Sequence, residues 1–223
     1  MIIDAERFFE ENWTRILVNQ PPAVRAHLDA QRQLARELLT TRRYDLVIEV
    51  GCADGSLLMP TIVGLGRRYL GVEIAKGAVD DAGQRLAAMP RRPGQRAEVV
   101  HGDIRHLDAI AAESDLVRGS VLVAFPFNVF GNIVEPRQVL ATTAAHDLDV
   151  LIITYDTSPA ARDLRAEYYR ACGLSGDFTT GATGARFASG PFTSSVYHPS
   201  VLRRWLTLNP PLRARTTQVS SGS

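Results

Sequence analysis

Residues 47–56, VIEVGCADGS, carry an apolar run straight into a turn of small residues that holds one acid. The run is short and has no polar alternation, which is the pattern of a strand buried on both faces. Gly51 and Gly55 permit backbone conformations and close approaches that a side chain obstructs, and Ala53 between them is nearly as small. In an open α/β sheet, ligands bind beyond the carboxyl ends of the strands. The turn after this strand is therefore the first place to look for a site. Its amide N–H groups, with those of the helix that follows, are free to meet an anionic group.

Working outward, four more apolar runs share the texture of the first, DLVIEV: RYLGVEI, AEVVHGD, SVLVAF and DVLIITYD. Helical patterns separate them at about 58–67, 76–89, 106–114 and 135–145. Strand alternating with helix predicts a parallel sheet with right-handed crossovers and helices on both faces. Before the first strand, Phe9, Trp13, Ile16 and Leu17 fall on one helical face. Pro21 and Pro22 interrupt it, and Val24, Leu28, Leu34, Leu38 and Leu39 resume it. Residues 1–44 are thus expected to be a helical extension and 45–223 the main domain. After a helix at 159–173, the Gly-, Ser- and Thr-rich stretch GDFTTGATGARFASGPFTSSVY predicts antiparallel strand additions near 187–197 and 213–220.

At 223 residues and 45% hydrophobic the chain encloses one substantial core. Lysine plus arginine (25) balances aspartate plus glutamate (24), so there is no field of one sign to attract nucleic acid or an anionic membrane. With no secretory pattern, no apolar run of about 18 residues and only Cys52 and Cys172 as thiols, a cytoplasmic protein is expected. Its expected partner is a small molecule, with a homodimer as an open option.

Two further strand ends bear on the ligand. Glu73 closes RYLGVEI inside an apolar run, where a charge needs a reason, and an acid there is placed to accept from a ribose diol. Asp103 follows Gly102 at the third strand end, placed to accept from the exocyclic amino group of adenine while the Ile104 N–H donates to a ring nitrogen. Asp103 also suits a helix cap. A nicotinamide-type G-x-G-x-x-G turn would need glycine at Ser56.

Taken together, these strand ends resemble the class I S-adenosylmethionine (SAM)-dependent methyltransferases. Glu49-x-Gly51-x-Ala53-x-Gly55 is similar to the family's first motif with one glycine replaced by alanine, Glu73 to its ribose-binding acid, and Asp103 to its adenine-side acid. The resemblance covers about residues 45–155. It implies a Rossmann-like, mostly parallel seven-stranded α/β sheet with the last strand antiparallel, an N-terminal helical lid, and SAM as cofactor. The cofactor-binding residues it implies are Glu49, Gly51, Ala53, Gly55, Glu73, Ile74, Asp103, Ile104 and Phe125.

The fourth strand runs into AFPFNVFGNI, where the family's nitrogen methyltransferases carry Asn-Pro-Pro-aromatic, an order this chain lacks. Asn128 is the candidate for holding an acceptor or the amino-acid end of the cofactor, with Tyr169 as a second catalytic candidate. Trp13, Phe127 and Tyr197 are the candidate substrate contacts. The histidines form no metal-ligand spacing, so no metal is expected. Methyl transfer to a small natural-product or amino-acid-like acceptor is the leading expectation. The alternatives are a cyclase or lyase acting on SAM alone, with release of methylthioadenosine, and a SAM-binding module without turnover.

Overall fold

The computed structural model describes residues 2–113 and 120–208. Two helices, α1 (Ile2–Val18) and α2 (Pro22–Thr41), precede the first strand and are separated at Pro21, as the proline pair predicts. The chain then alternates: β1 (Leu46–Val50), α3 (Met59–Gly64), β2 (Arg68–Glu73), α4 (Lys76–Ala87), β3 (Ala97–His101), α5 (Leu107–Glu113), β4 (Val121–Phe125), α6 (Val129–Asn132), α7 (Pro136–Ala145) and β5 (Asp149–Ile152). All five strands pair in parallel, in the order β3-β2-β1-β4-β5.

The two faces of β1 show why its sequence lacks alternation. Leu46, Ile48 and Val50 enter one core with Ile104 and Leu107 next to and in α5 and Leu140 of α7, whereas Val47 enters the other with Leu39 of α2 and Ile62 of α3. With helices on both sides, every residue of the strand meets apolar surface. The order of the strands reverses between β1 and β4, so connections leave in opposite directions there and open a crevice at their carboxyl ends.

The seven-stranded sheet is not what forms among the described residues. After α8 (Pro159–Ala171), β6 (Asp177–Gly181), β7 (Gly184–Ser189) and β8 (Phe192–Tyr197) make a separate antiparallel sheet, and α9 (Pro199–Thr207) follows. The two-residue turns between these strands favour pairing with immediate neighbours over extension of the β5 edge. The strand expected at 213–220 lies outside the described residues.

The small sheet is packed back onto the crevice rather than left at the periphery. Gly131 of α6 lies so close to β8 that a β-carbon there would run into the Ser195 carbonyl oxygen. The sheet also meets α1 and α8: Phe8 stacks on Phe192 at 4.9 Å, and Tyr169 packs on Phe187 at 4.5 Å. The Tyr168 hydroxyl donates to the Ile16 carbonyl (2.8 Å). The N-terminal segment is accordingly integral to the packing, with α2 in the main core and α1 in the aromatic cluster. Among the described residues no helix is long and apolar enough to cross a membrane.

Candidate functional site

A cavity of about 460 Å3 lies along the carboxyl ends of the strands, within the usual range for small-molecule sites. Gly51, Ala53, Glu73, Ile74, Asp103 and Ile104 line one end. Phe127, Asn128, Tyr155, Tyr168, Tyr169, Phe192 and Ser194 line the other, and α1 contributes Phe9, Trp13, Ile16 and Leu17. The strand order puts the two ends on opposite sides of β1. At about 4.8 Å per strand, the β3 and β5 tips are about 19 Å apart.

At the β1–β3 end the chain is held by carboxylates that grip backbone. Glu73, buried, accepts from the Ala53 N–H (2.9 Å) through one oxygen, and from the Ile74 (2.8 Å) and Ala75 (2.9 Å) N–H groups through the other. Burial raises its pKa, and the three amide donors oppose the shift. Three of about four acceptor positions are therefore taken by the chain itself. Glu73 fastens the turn after β1 to the turn after β2, a role the ribose reading did not include. Ala53 adopts φ +48°, a left-handed conformation unfavourable for a residue with a β-carbon, and this bond is what holds it.

Glu49 does not reach the cavity. It lies one layer below, fully buried, where Oε1 accepts from the Leu58 N–H (3.2 Å) and Oε2 from the Tyr69 hydroxyl (2.8 Å). Burial pushes its pKa up to about 8, against the pull of those hydrogen bonds. Gly55 is also outside the lining. A β-carbon there would collide with the Met59 side chain, so this glycine serves the packing of α3. Gly51, at φ +65°, does face the cavity, but a β-carbon would lie 2.7 Å from a methyl of Val129, so the approach it permits is first of all between two parts of this chain.

Asp103 is committed to Arg105. It accepts from the Arg105 backbone N–H (2.9 Å), from Nε (2.9 Å) and from Nη2. Burial alone would raise its pKa, but the hydrogen bonds and charge of Arg105 outweigh that and hold it below the usual range. Arg105 lines the cavity too and was not singled out in the sequence.

The β4–β5 end is built differently. Phe127 and Asn128 both have positive φ, +45° and +62°, an outlier for a phenylalanine and tolerable for an asparagine. The Phe127 N–H donates to Oε1 of buried Gln31 (2.9 Å) and the Asn128 N–H to the Ile153 carbonyl (2.9 Å). The Asn128 side chain donates to Ser194 Oγ (2.9 Å) and the Ser195 carbonyl (3.1 Å), and accepts from Thr154 Oγ1. The Tyr169 and Ser194 hydroxyls bond each other at 2.7 Å. Burial pushes the Tyr155 and Tyr168 phenols well above their ordinary range, so both stay protonated.

Two expected contacts fall elsewhere. Phe125 is fully buried on the opposite side of β4, edge-on to Phe130 at 5.4 Å, because the residue parity of the strand turns it into the core. Tyr197 packs on Trp205 of α9 at 4.8 Å and does not line the cavity. Trp13, Phe127, Asn128 and Tyr169 do line it.

Ser194 and Arg165 carry a signal that sequence reasoning missed. Phe192, Ser194 and Val196 alternate inward on β8, so a serine on an otherwise apolar face was visible by period two. Arg165, Tyr168 and Tyr169 fall at i, i+3 and i+4 on α8, a spacing that places them on one face, and all three are buried.

No protein-family model matches the sequence, and no curated protein matches it. Solved structures do. The plantazolicin methyltransferase BamL, in complex with a triazolic desmethylPZN analog and SAH, superposes with a TM-score of 0.55 at 12% identity, over 92% of this chain and 71% of that one. The CcbJ methyltransferase from Streptomyces caelestis gives 0.53 at 16% identity, over 85% and 84%. Magnesium protoporphyrin IX methyltransferase (ChlM) from Synechocystis PCC 6803, with bound SAH, gives 0.50 at 16% identity, over 85% and 94%. The structural neighbours are class I SAM-dependent methyltransferases at low identity, and the protein has their Rossmann-like fold.

Proposed function

We propose that the protein transfers the methyl group of SAM to a small-molecule acceptor. The observation that carries this reading is one cavity with two unlike ends, the first walled by strand-end turns and carboxylates, the second by rings. The residues suit the cofactor: Gly51 and Ala53 present backbone, Ile74 and Ile104 present apolar surface beside Glu73 and Asp103, and Phe127 and Asn128 stand at the junction of the two ends. When bound, SAM supplies a methyl that is already electrophilic. What remains for the protein is alignment, worth about 7–11 kcal/mol of barrier. The fixed loop at Phe127 and Asn128 positions, the rings exclude water, and Ser194 and Tyr169 place hydroxyl oxygens on the wall for an acceptor to meet. The low-identity neighbours, among them methyltransferases whose names specify plantazolicin and magnesium protoporphyrin IX, support a small acceptor by analogy. The test is incubation with SAM and fractionated metabolites: S-adenosylhomocysteine (SAH) should form, and failure across acceptor classes counts against the reading.

A second reading draws on a specific observation. The Tyr169 hydroxyl gives its proton to Ser194 Oγ, which leaves its oxygen as an acceptor on the cavity wall. Such a group can accept from an amino group and hold its lone pair in line. With SAM as the whole substrate, the amino nitrogen would attack its own γ-carbon and the carbon–sulfur bond would break. The pair leaves on sulfur as neutral methylthioadenosine, and the ring nitrogen loses a proton to give azetidine-2-carboxylate. Enzyme and SAM alone would then yield methylthioadenosine, and its absence removes this reading.

A further inference from the structure

Behind the wall of the β4–β5 end of the cavity lies a charge to which the described part of the fold gives no counter-ion. Arg165 on α8 is completely buried. Its Nη2 donates to the Ser194 carbonyl (2.8 Å) and more weakly to Ser194 Oγ (3.3 Å), while Nε and Nη1 have no hydrogen-bond partner. None of the ion pairs among the described residues includes it. The rings of Tyr155, Tyr169 and Phe178, 5.3–5.8 Å from the guanidinium, ease the burial of the cation but give its N–H groups nothing to bond. The Tyr155 hydroxyl beside it is buried and unpartnered as well, and so are His27 Nε2, against the Tyr155 ring, and Gln31 Nε2, on the side chain that holds Phe127. The cluster is rich in donors, poor in acceptors and positive.

The hydrogen-bond arithmetic at Ser194 carries this polarity into the cavity. Ser194 Oγ accepts from Asn128 (2.9 Å), from the Tyr169 hydroxyl (2.7 Å) and more weakly from Arg165 (3.3 Å). With these donors gathered on the oxygen, its own proton is left for the cavity. A hydroxyl polarised by a buried guanidinium is thereby offered from a wall residue to whatever occupies this end.

We propose that the β4–β5 end recognises a carboxylate on the small molecule it holds, with Ser194 as the donor and Arg165 as the positioning charge behind it. The proposal rests on the reading of the cavity as a SAM site. The carboxylate has two sources of the same chemistry, the methionine end of SAM or a carboxylic-acid acceptor with an apolar or aromatic body to suit Phe127, Tyr155 and Phe192.

The experiment compares wild type, Arg165→Lys and Arg165→Met by calorimetry with two probe pairs. SAH is set against methylthioadenosine, which lacks the amino-acid carboxylate, and benzoate against neutral benzamide on SAH-saturated protein. Removing the guanidinium in Arg165→Met takes the charge from behind the Ser194 donor. This weakens the matching carboxylate probe by about 10- to 100-fold, leaves its neutral counterpart unchanged, and is largely reversed in Arg165→Lys. Selective weakening of SAH assigns the carboxylate to methionine, and selective weakening of benzoate assigns it to the acceptor. Equal affinities of wild type and Arg165→Met for both carboxylates overturn the proposal. If Arg165→Met does not fold, Ser194→Ala is read by the same pairs and criteria. Failure of both SAH and methylthioadenosine to bind wild type would instead overturn the SAM reading itself.

Discussion

The two ends of the cavity hold their shape by different means. At the β1–β3 end, Glu73 and Asp103 are tied to backbone amides and to Arg105, and little apolar side chain is involved. At the β4–β5 end, rings that follow β5 and lie on α8 and β6 surround Arg165, and a two-residue left-handed loop is pinned by Gln31, Ile153 and Thr154. The first end depends on local contacts between neighbouring strand tips. The second depends on segments far apart in the chain meeting at one place, as in the Asn128–Ser194 and Tyr168–Ile16 bonds. A site divided in this way can keep one half while the other half changes.

The largest effect should come from separating α6 from β8. Gly131→Ala places a methyl against the Ser195 carbonyl and the Asn128 amide, and is expected to cost about 3 kcal/mol in urea unfolding. Its comparison is Gly83→Ala in α4, where a β-carbon meets nothing. That change should stabilise by about 0.5–1 kcal/mol. Equal effects at the two positions would deny that β8 is docked as described.

Next in size is a pH dependence rooted beneath the β1–β3 end. Burial raises the Glu49 carboxyl from 4.5 to about 8 in the folded chain. A raised folded pKa contributes stability that is complete below the unfolded value and is lost as pH rises through the folded one. Glu49→Gln, which keeps an oxygen for Leu58 and is never charged, should therefore match wild type near pH 5. It should exceed wild type at pH 9 by about 2 kcal/mol, roughly 5 °C in Tm. A constant difference in Tm across that range would contradict the burial argument. Asp103, held low by Arg105, works in the opposite direction, its contribution being lost as pH falls through its depressed folded value.

Smaller effects should distinguish the two ends functionally. Tyr169→Phe removes the hydroxyl bonded to Ser194 and should lower turnover about tenfold while leaving SAH affinity within twofold. A parallel loss of affinity would place Tyr169 at the cofactor instead. Trp13→Ala on α1 should weaken ligand binding by about 1 kcal/mol with little change in Tm, since the indole lines the cavity and is only partly buried.

These contrasts also explain which parts were legible in the chain. Buried parallel strands announce themselves because both faces are apolar, and Gly51, Glu73 and Asp103 were found because a strand end is a fixed offset from an apolar run. Their bonding partners were not legible. Nothing in EIAKG says that Glu73 turns back to Ala53, and nothing in GDIR says that Arg105 occupies Asp103. Glu49, Gly55 and Phe125 were placed at the ligand by motif or proximity, whereas the structure uses them for packing under the turn and behind β4. The separate three-stranded sheet was hidden because strand propensity does not say which edge a hairpin will meet. Arg165 and Ser194 are assembled only once α8 and β8 pack together.

The most direct test of the central claim, that the β1–β3 end receives the adenosyl group and the β4–β5 end the reacting partner, is a crystal structure with SAH. The account predicts adenine beside Ile74 and Ile104, with the homocysteine chain directed toward Phe127 and Asn128. A nucleoside bound outside this cavity, or with its adenine among Tyr155, Tyr168 and Phe192, would contradict it.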